Sequence, residues 1–272
     1  MISQPHERLR AWKTYVAIGD STSEGLWDIR PDGSLGGWAD RLADKLSSRR
    51  VDIGLPPLNY ANLAIRGRTM EPIFREQLPR AVSLGADLIS ITAGGNDMVR
   101  PRADINRLAR QMEAAVRQLR ERDIDVLLVT SSDPEGSPLI ELTRPRVTAF
   151  NSSLWSIAQR YGCAIADQWG LKPLQTWRGW ADDRFHLTPE THEILADAAL
   201  AGLGFAPDNP DYWRIPDSWQ PALHEPSPSH IAWFIHHVVP WMARHARGRS
   251  SGTGRVPKRP APTPVTPLEH RV

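Results

Sequence analysis

Cysteine is almost missing from the 272 residues: Cys163 stands alone. One thiol forms no intramolecular disulfide, so a disulfide-stapled secreted scaffold is excluded and a reducing compartment is favoured. No run of 18 or more apolar residues occurs, so the sequence predicts no transmembrane helix. The opening MISQPHERLRAWK lacks the apolar core and small-residue cleavage site of a signal peptide. Together these absences set a cytoplasmic expectation. Motifs that hold metals or phosphates are missing too. There is no cysteine pair, no His-Glu-x-x-His, no P-loop and no Gly-x-Gly-x-x-Gly, so no metal or cofactor is expected. No Gly-x-Ser-x-Gly follows a predicted strand, which disfavours the strand-to-helix elbow of an α/β-hydrolase arrangement. No internal repeat is visible.

Charge is scarce in net terms, at +2, and unevenly spread. From Arg244 onward seven Lys/Arg face one acid, Glu269, which leaves the preceding residues at −4. A slightly acidic body lacks the basic face that nucleic-acid binding needs.

What is present is an alternation of short apolar runs with helical patterns. The runs Thr14–Gly19, 58–64, 87–92, 125–130 and Ala164–Ala166 read as strands. The stretches 40–48, 71–84, 104–122, 145–161 and 189–201 read as helices, with Pro79 a candidate break in the second. Such alternation predicts a three-layer α/β/α sandwich around a parallel sheet of about five strands. The strand runs are continuously apolar, as burial on both faces requires. The sequence divides into a domain over 1–204, a Trp/Pro-rich extension over 205–246 and a basic tail over 247–272. The extension holds Trp213, Trp219, Trp233, Phe234 and Trp241, read as packing on the domain. Its segment 231–245, containing His236 and His237, predicts a helix with some capacity for peripheral membrane contact. The tail carries five prolines and little to bury, and is expected to be disordered.

Four polar segments follow predicted strands or sit in loops, where open α/β sheets keep their ligand sites. Gly19-Asp20-Ser21-Thr22-Ser23-Glu24-Gly25 follows the first strand; read alone it is equally a turn or a helix cap. Gly67, between Asn62 and Thr69, offers an unhindered backbone N–H. Gly94-Gly95-Asn96-Asp97 follows the third strand, and an amide there can donate to a developing oxyanion. Asp183 and His186, three residues apart, can pair so that the imidazole becomes a base for a serine hydroxyl. His192 reads as structural. Arg66, Arg68, Arg100 and Arg102 predict a positive rim if their loops meet, although solvated surface charge explains them as well.

In order and spacing these segments resemble the four blocks of the SGNH (GDSL-type) hydrolases, over roughly residues 15–203. The resemblance implies a flavodoxin-like fold and Ser21 as nucleophile. It implies an oxyanion hole from the Ser21 N–H, Gly67 and Asn96, with Asp183 and His186 completing a triad. Thr22 stands where the family often has Leu, and His186 is followed by Leu-Thr-Pro rather than directly by Pro. The implied activity is hydrolysis of a small-molecule or lipid ester. Acyl transfer by the same triad and a non-catalytic binding member of the fold remain alternatives.

Overall fold

A computed structural model describes residues 5–100, 102–133, 141–219 and 250–266. Six strands form one sheet: β1 (Thr14–Gly19), β2 (Asn59–Asn62), β3 (Leu88–Thr92), β4 (Asp125–Val129), β5 (Ala164–Ala166) and β6 (Arg259–Pro264). Their order is β5-β4-β3-β1-β2-β6. The first five are parallel, and β6 runs antiparallel to β2.

The helices are α1 (Pro5–Ala11), α2 (Ser21–Glu24), α3 (Trp38–Asp52), α4 (Met70–Pro72), α5 (Leu78–Ser83), α6 (Gly95–Met98), α7 (Ile105–Arg120), α8 (Arg144–Tyr161) and α9 (Pro189–Gly202). Alternate residues of β1 enter different cores, because successive side chains of a strand point to opposite faces. Tyr15 and Ala17 join Trp38, Leu42 and Leu46 of α3 and Leu195 and Ala199 of α9. Val16 and Ile18 join Leu108, Met112 and Val116 of α7 and Leu154 of α8. Helices therefore cover both faces, giving three layers. Asp104 caps α7 by accepting the Arg107 N–H at 2.9 Å, and the helix buries one stripe, Leu108, Met112, Ala115, Val116 and Leu119. Each large apolar side chain so buried stabilises the fold by about 1.5–3 kcal/mol.

Two expectations are corrected. Pro79 does not break its helix. Between α4 and α5 the chain widens into one π-helical stretch, Ile73–Gln77, and the helix continues. Pro79 has no N–H to donate to the preceding turn, and the wider turn passes that vacancy.

The basic tail is not disordered throughout, and the sheet has a sixth strand. Val265 donates its N–H to Leu58 O at 2.8 Å. The β2–β6 register shifts between Tyr60 and Asn62, and β6 carries Pro260, Pro262 and Pro264. Proline suits an edge strand and blocks further pairing there. Lys258 anchors the approach to β6. Its Nζ bonds Asp40 Oδ2 at 2.6 Å, Leu35 O at 3.2 Å and Gly36 O.

Of the extension, residues 205–219 are described. Phe205 meets Trp12 edge-on, with ring centroids 6.1 Å apart. Trp219 is buried beneath Arg178, whereas Trp213 is exposed. The helix expected at 231–245, with Trp233, Phe234, His236, His237 and Trp241, lies outside the described residues.

Candidate active site

The carboxyl ends of β1, β3 and β4 open into a cavity of about 430 Å³. Ser21, Gly67, Asn96, Asp183 and His186 all line it, so the four sequence segments converge.

β1 delivers the chain through Gly19 into α2. A Cβ at Gly19 would stand 2.6 Å from Thr92 O, so only glycine allows strands β1 and β3 to end this close. Asp20 caps α2 through its bond to the Thr22 N–H, 3.1 Å long, which leaves Ser21 as the first helical residue. Ser23 points inward instead, buried, with its Oγ bonded to Thr92 Oγ1 at 2.9 Å.

Ser21 Oγ lies 2.9 Å from His186 Nε2, and His186 Nδ1 lies 2.6 Å from Asp183 Oδ2. Burial works to raise the Asp183 carboxyl. The bond and charge of His186 and the N–H groups of Phe185 and His186 outweigh it, and hold the group below its ordinary value. An ionised Asp183 can only accept. Nδ1 therefore carries the imidazole proton, and Nε2 presents its lone pair to the serine hydroxyl. That arrangement can take a proton from Ser21.

Asn96 is the second residue of α6, after the cap position Gly94, and donates from Nδ2 to Asp20 Oδ2 at 3.2 Å and to Arg68 O at 3.0 Å. Burial pushes the Asp20 carboxyl up to about 6, while the Thr22 backbone and His186 oppose the shift. Gly67 takes φ +72°, and the space a Cβ would need is filled by Ser251 Oγ at 2.9 Å. Asn62 stays out of the cavity. Buried, it donates to Ser23 O and Tyr60 Oη and so ties β2 to α2. Thr69 precedes α4 as its cap position.

Other expectations resolve as follows. His192 is structural. Its Nδ1 accepts the Trp38 N–H at 3.2 Å, its Nε2 faces Leu26 O, and burial pushes it down to about 4. The positive rim is not built from the four arginines named in the sequence. Arg66 lines the cavity but is neutralised by Glu24, whose carboxylate accepts its Nε at 2.9 Å and its backbone N–H at 2.6 Å. Arg68 pairs with Glu76 at 3.2 Å, and neither Arg100 nor Arg102 reaches the cavity. Arg184 and Arg255 line it instead. Two features escaped the sequence reading. One is the turn holding Ser251 and Arg255. The other is Trp27, whose indole N–H bonds Asp183 Oδ2 at 2.7 Å.

Among the described residues Glu193, Asp197 and Asp208 cluster as a metal site would. Lys45 Nζ occupies the middle, 2.7, 3.0 and 2.5 Å from the three carboxylates, so the cluster is a salt-bridge network. No helix among the described residues is long and apolar enough to cross a membrane.

Comparison with known proteins agrees with this layout. An 88-residue stretch is 31% identical to Uncharacterized protein YpmR of Bacillus subtilis (strain 168). It spans 31% of this chain and 32% of that protein, so the match covers about a third of the relative. Axe2, an acetylxylan esterase from Geobacillus stearothermophilus, superimposes with a TM-score of 0.59 at 20% identity, over 71% of this chain and 94% of Axe2. The psychrotrophic esterase EstA from Pseudoalteromonas sp. gives 0.55 at 17% identity, over 71% of this chain and 97% of EstA. At such identities the likeness shows a shared fold. The model of the GDSL-like Lipase/Acylhydrolase family matches residues 17–194. That span runs from the strand before Ser21 to the helix after His186, and with it the chain belongs to the GDSL-like lipase/acylhydrolase family.

Proposed function

We propose that the chain is a serine esterase that cleaves carboxylic esters through an acyl-enzyme on Ser21. The observation that carries this reading is the continuous relay Ser21 Oγ–His186 Nε2 at 2.9 Å and His186 Nδ1–Asp183 Oδ2 at 2.6 Å. Ser21 Oγ attacks the ester carbonyl as its proton passes to Nε2. Asp183 steadies the imidazolium without taking the proton. The carbonyl oxygen becomes an oxyanion held by the backbone N–H groups of Ser21 and Gly67 and by Asn96 Nδ2. Both Asn96 amide protons are engaged in the resting site, so the longer bond, to Asp20, is the one exchanged for the oxyanion. When the C–O bond breaks, the leaving alkoxide takes the proton from Nε2. Water then repeats the sequence on the acyl-enzyme and frees the acid. No group outside the chain is needed for these steps.

The cavity wall suits the acyl part. Met98, Val99, Val147, Leu174 and Trp177 give it an apolar side, while Thr130, Ser131 and Gln168 give a polar one. A volume near 430 Å³ admits a ligand of small-molecule size. Acetylxylan is named for one fold relative, and an acetylated sugar is one substrate of this class.

The test is hydrolysis of p-nitrophenyl acetate, butyrate and octanoate, with a fluorophosphonate probe and mass spectrometry to locate the label. Wild type should turn over and label at Ser21. Ser21→Ala should lose about 10⁴-fold or more in kcat, and Ser23→Ala, altering an inward hydroxyl, far less. A folded wild type that neither turns over nor labels would sink the reading.

A further inference from the structure

Trp27 is an odd residue at an odd place. It follows α2 by three positions and takes φ +73°, a left-handed conformation in which a bulky side chain is strained and glycine is not. Its ring is also 37% exposed. What it gains is one bond: Nε1–H donates to Asp183 Oδ2 at 2.7 Å. That oxygen also accepts His186 Nδ1–H at 2.6 Å, while Oδ1 accepts the backbone N–H of Phe185 and of His186 at 3.0 and 3.1 Å.

The backbone around Trp27 is fixed from both sides. Leu26 O faces His192 Nε2 at 3.3 Å. The Asp28 carboxylate accepts the Gly37 N–H at 2.8 Å and Arg41 Nη2 at 2.9 Å. The indole is therefore held against the carboxylate by a backbone anchored on either side of it.

We propose that Trp27 is a positioning residue: its indole N–H fixes the Asp183 carboxylate and draws charge from Oδ2, and so sets the basicity of His186. This rests on the reading of Ser21, His186 and Asp183 as the catalytic relay, and deepens it. The sign follows directly. A carboxylate that loses a donor holds its charge more tightly at Oδ2, attracts the imidazolium more strongly and raises the proton affinity of His186. The base is then neutral only at higher pH.

Other charges facing the relay come from several elements. Asp20 at the start of α2 interacts with His186. Arg184, on the same loop, lies over the Trp177 ring at 4.6 Å. Arg66 is paired with Glu24, Asp133 with Arg144 at 2.7 Å, and Arg255 comes from the turn over Gly67. Trp27 bonds Asp183 and none of these groups, so a shift in the variant is assigned to the lost indole bond.

The experiment is kcat/KM against pH for wild type, Trp27→Phe and Trp27→Gly with one small p-nitrophenyl ester, with Ser21→Ala and fluorophosphonate labelling alongside. Phenylalanine keeps the ring and the strained backbone but removes the N–H. Glycine removes the N–H and relieves the strain, so its melting temperature should stand at or above that of the phenylalanine variant. The acidic limb should move to higher pH in both variants, by on the order of half a unit, since a bond to a charged group counts for a unit or so before water replaces it. A purely structural role would leave the limb unmoved in both variants. Limbs that superimpose on wild type, in variants that still label at Ser21, would overturn the role of Trp27 alone. Absence of Ser21-dependent turnover in wild type would overturn the catalytic relay, and this inference with it.

Discussion

At the scale of single residues, the candidate site is legible where short-range sequence places its residues. Asp183 and His186 are three positions apart, and the local loop alone brings Oδ1 to the His186 N–H at 3.1 Å. Ser21 and Asn96 each follow a strand in the sequence and each reach the cavity. Trp27 was not legible, because its partner is 156 residues away and nothing in Leu-Trp-Asp signals a donor to a carboxylate. The arginine rim failed for the same reason. The charge of Arg66 is cancelled by Glu24, a residue the sequence reading assigned only to the first segment. Asn96 is the residue whose resting geometry makes the sharpest demand. Its amide bridges Asp20 and Arg68 O, so removing it takes away the oxyanion donor proposed above and leaves the Asp20 carboxylate without that partner. Asn96→Ala should therefore lower kcat by about 10²–10³-fold. Its KM for a small ester should change little, because the bond is made to the oxyanion and not to the bound ester. Steady-state kinetics on one p-nitrophenyl ester separates the two parameters. A loss confined to KM would mean that Asn96 binds substrate only.

At the scale of elements, the regular pieces were readable from period and caps. Strands β1 and β5 match their apolar runs, and α7 and α9 begin behind Asp104 and Thr188 as the cap residues require. The helix through Pro79 was harder, since proline is a sound signal for a break and the π-helical bypass is a tertiary solution. Its reason is visible at Gln77, the last residue of the widened stretch. The side chain is buried and bonds both backbone groups of Gly19, accepting the N–H at 2.7 Å and donating to the carbonyl at 3.0 Å. Gln77 thus serves the end of β1 as a neighbouring strand would, one residue before the turn that presents Ser21. Gln77→Leu fills the volume but strands the buried Gly19 N–H, while the Gly19 carbonyl keeps the Ile65 N–H at 3.1 Å. It should cost about 1–3 kcal/mol, read as a lower denaturant midpoint with unchanged slope. It should also lower kcat, because the Gly19 turn aims the proposed nucleophile. A midpoint within error of wild type would mean that water replaces the lost bond.

At the scale of the whole molecule, the sequence read as two bodies of opposite charge, an acidic domain and a basic tail. The fold joins them. β6 adds to the β2 edge, Ser251 covers Gly67, and Lys258 crosses to Asp40. Proline content hid this strand, since five prolines in a basic segment argue for disorder by composition, whereas their alternate placement argues for an edge. The ion pair is the test of how firmly the ends are joined. Burial raises the Asp40 carboxyl and lowers the Lys258 ammonium, so each helps the other to remain charged, with Arg30 4.0 Å from the second carboxylate oxygen. Lys258→Met keeps the apolar stem but leaves a buried carboxylate, and should cost about 3–5 kcal/mol. Asp40→Asn in the same chain removes that carboxylate and should recover part of the loss, the bonds of Lys258 to Leu35 O and Gly36 O staying absent. Denaturant unfolding of the two single variants and the double variant measures the coupling. Because Ser251 and Arg255 line the cavity just before Lys258, turnover of small esters should fall in Lys258→Met and return in the double variant. Equal stability in all four proteins would mean that the C-terminal strand is held by its pairing with β2 and not by the ion pair.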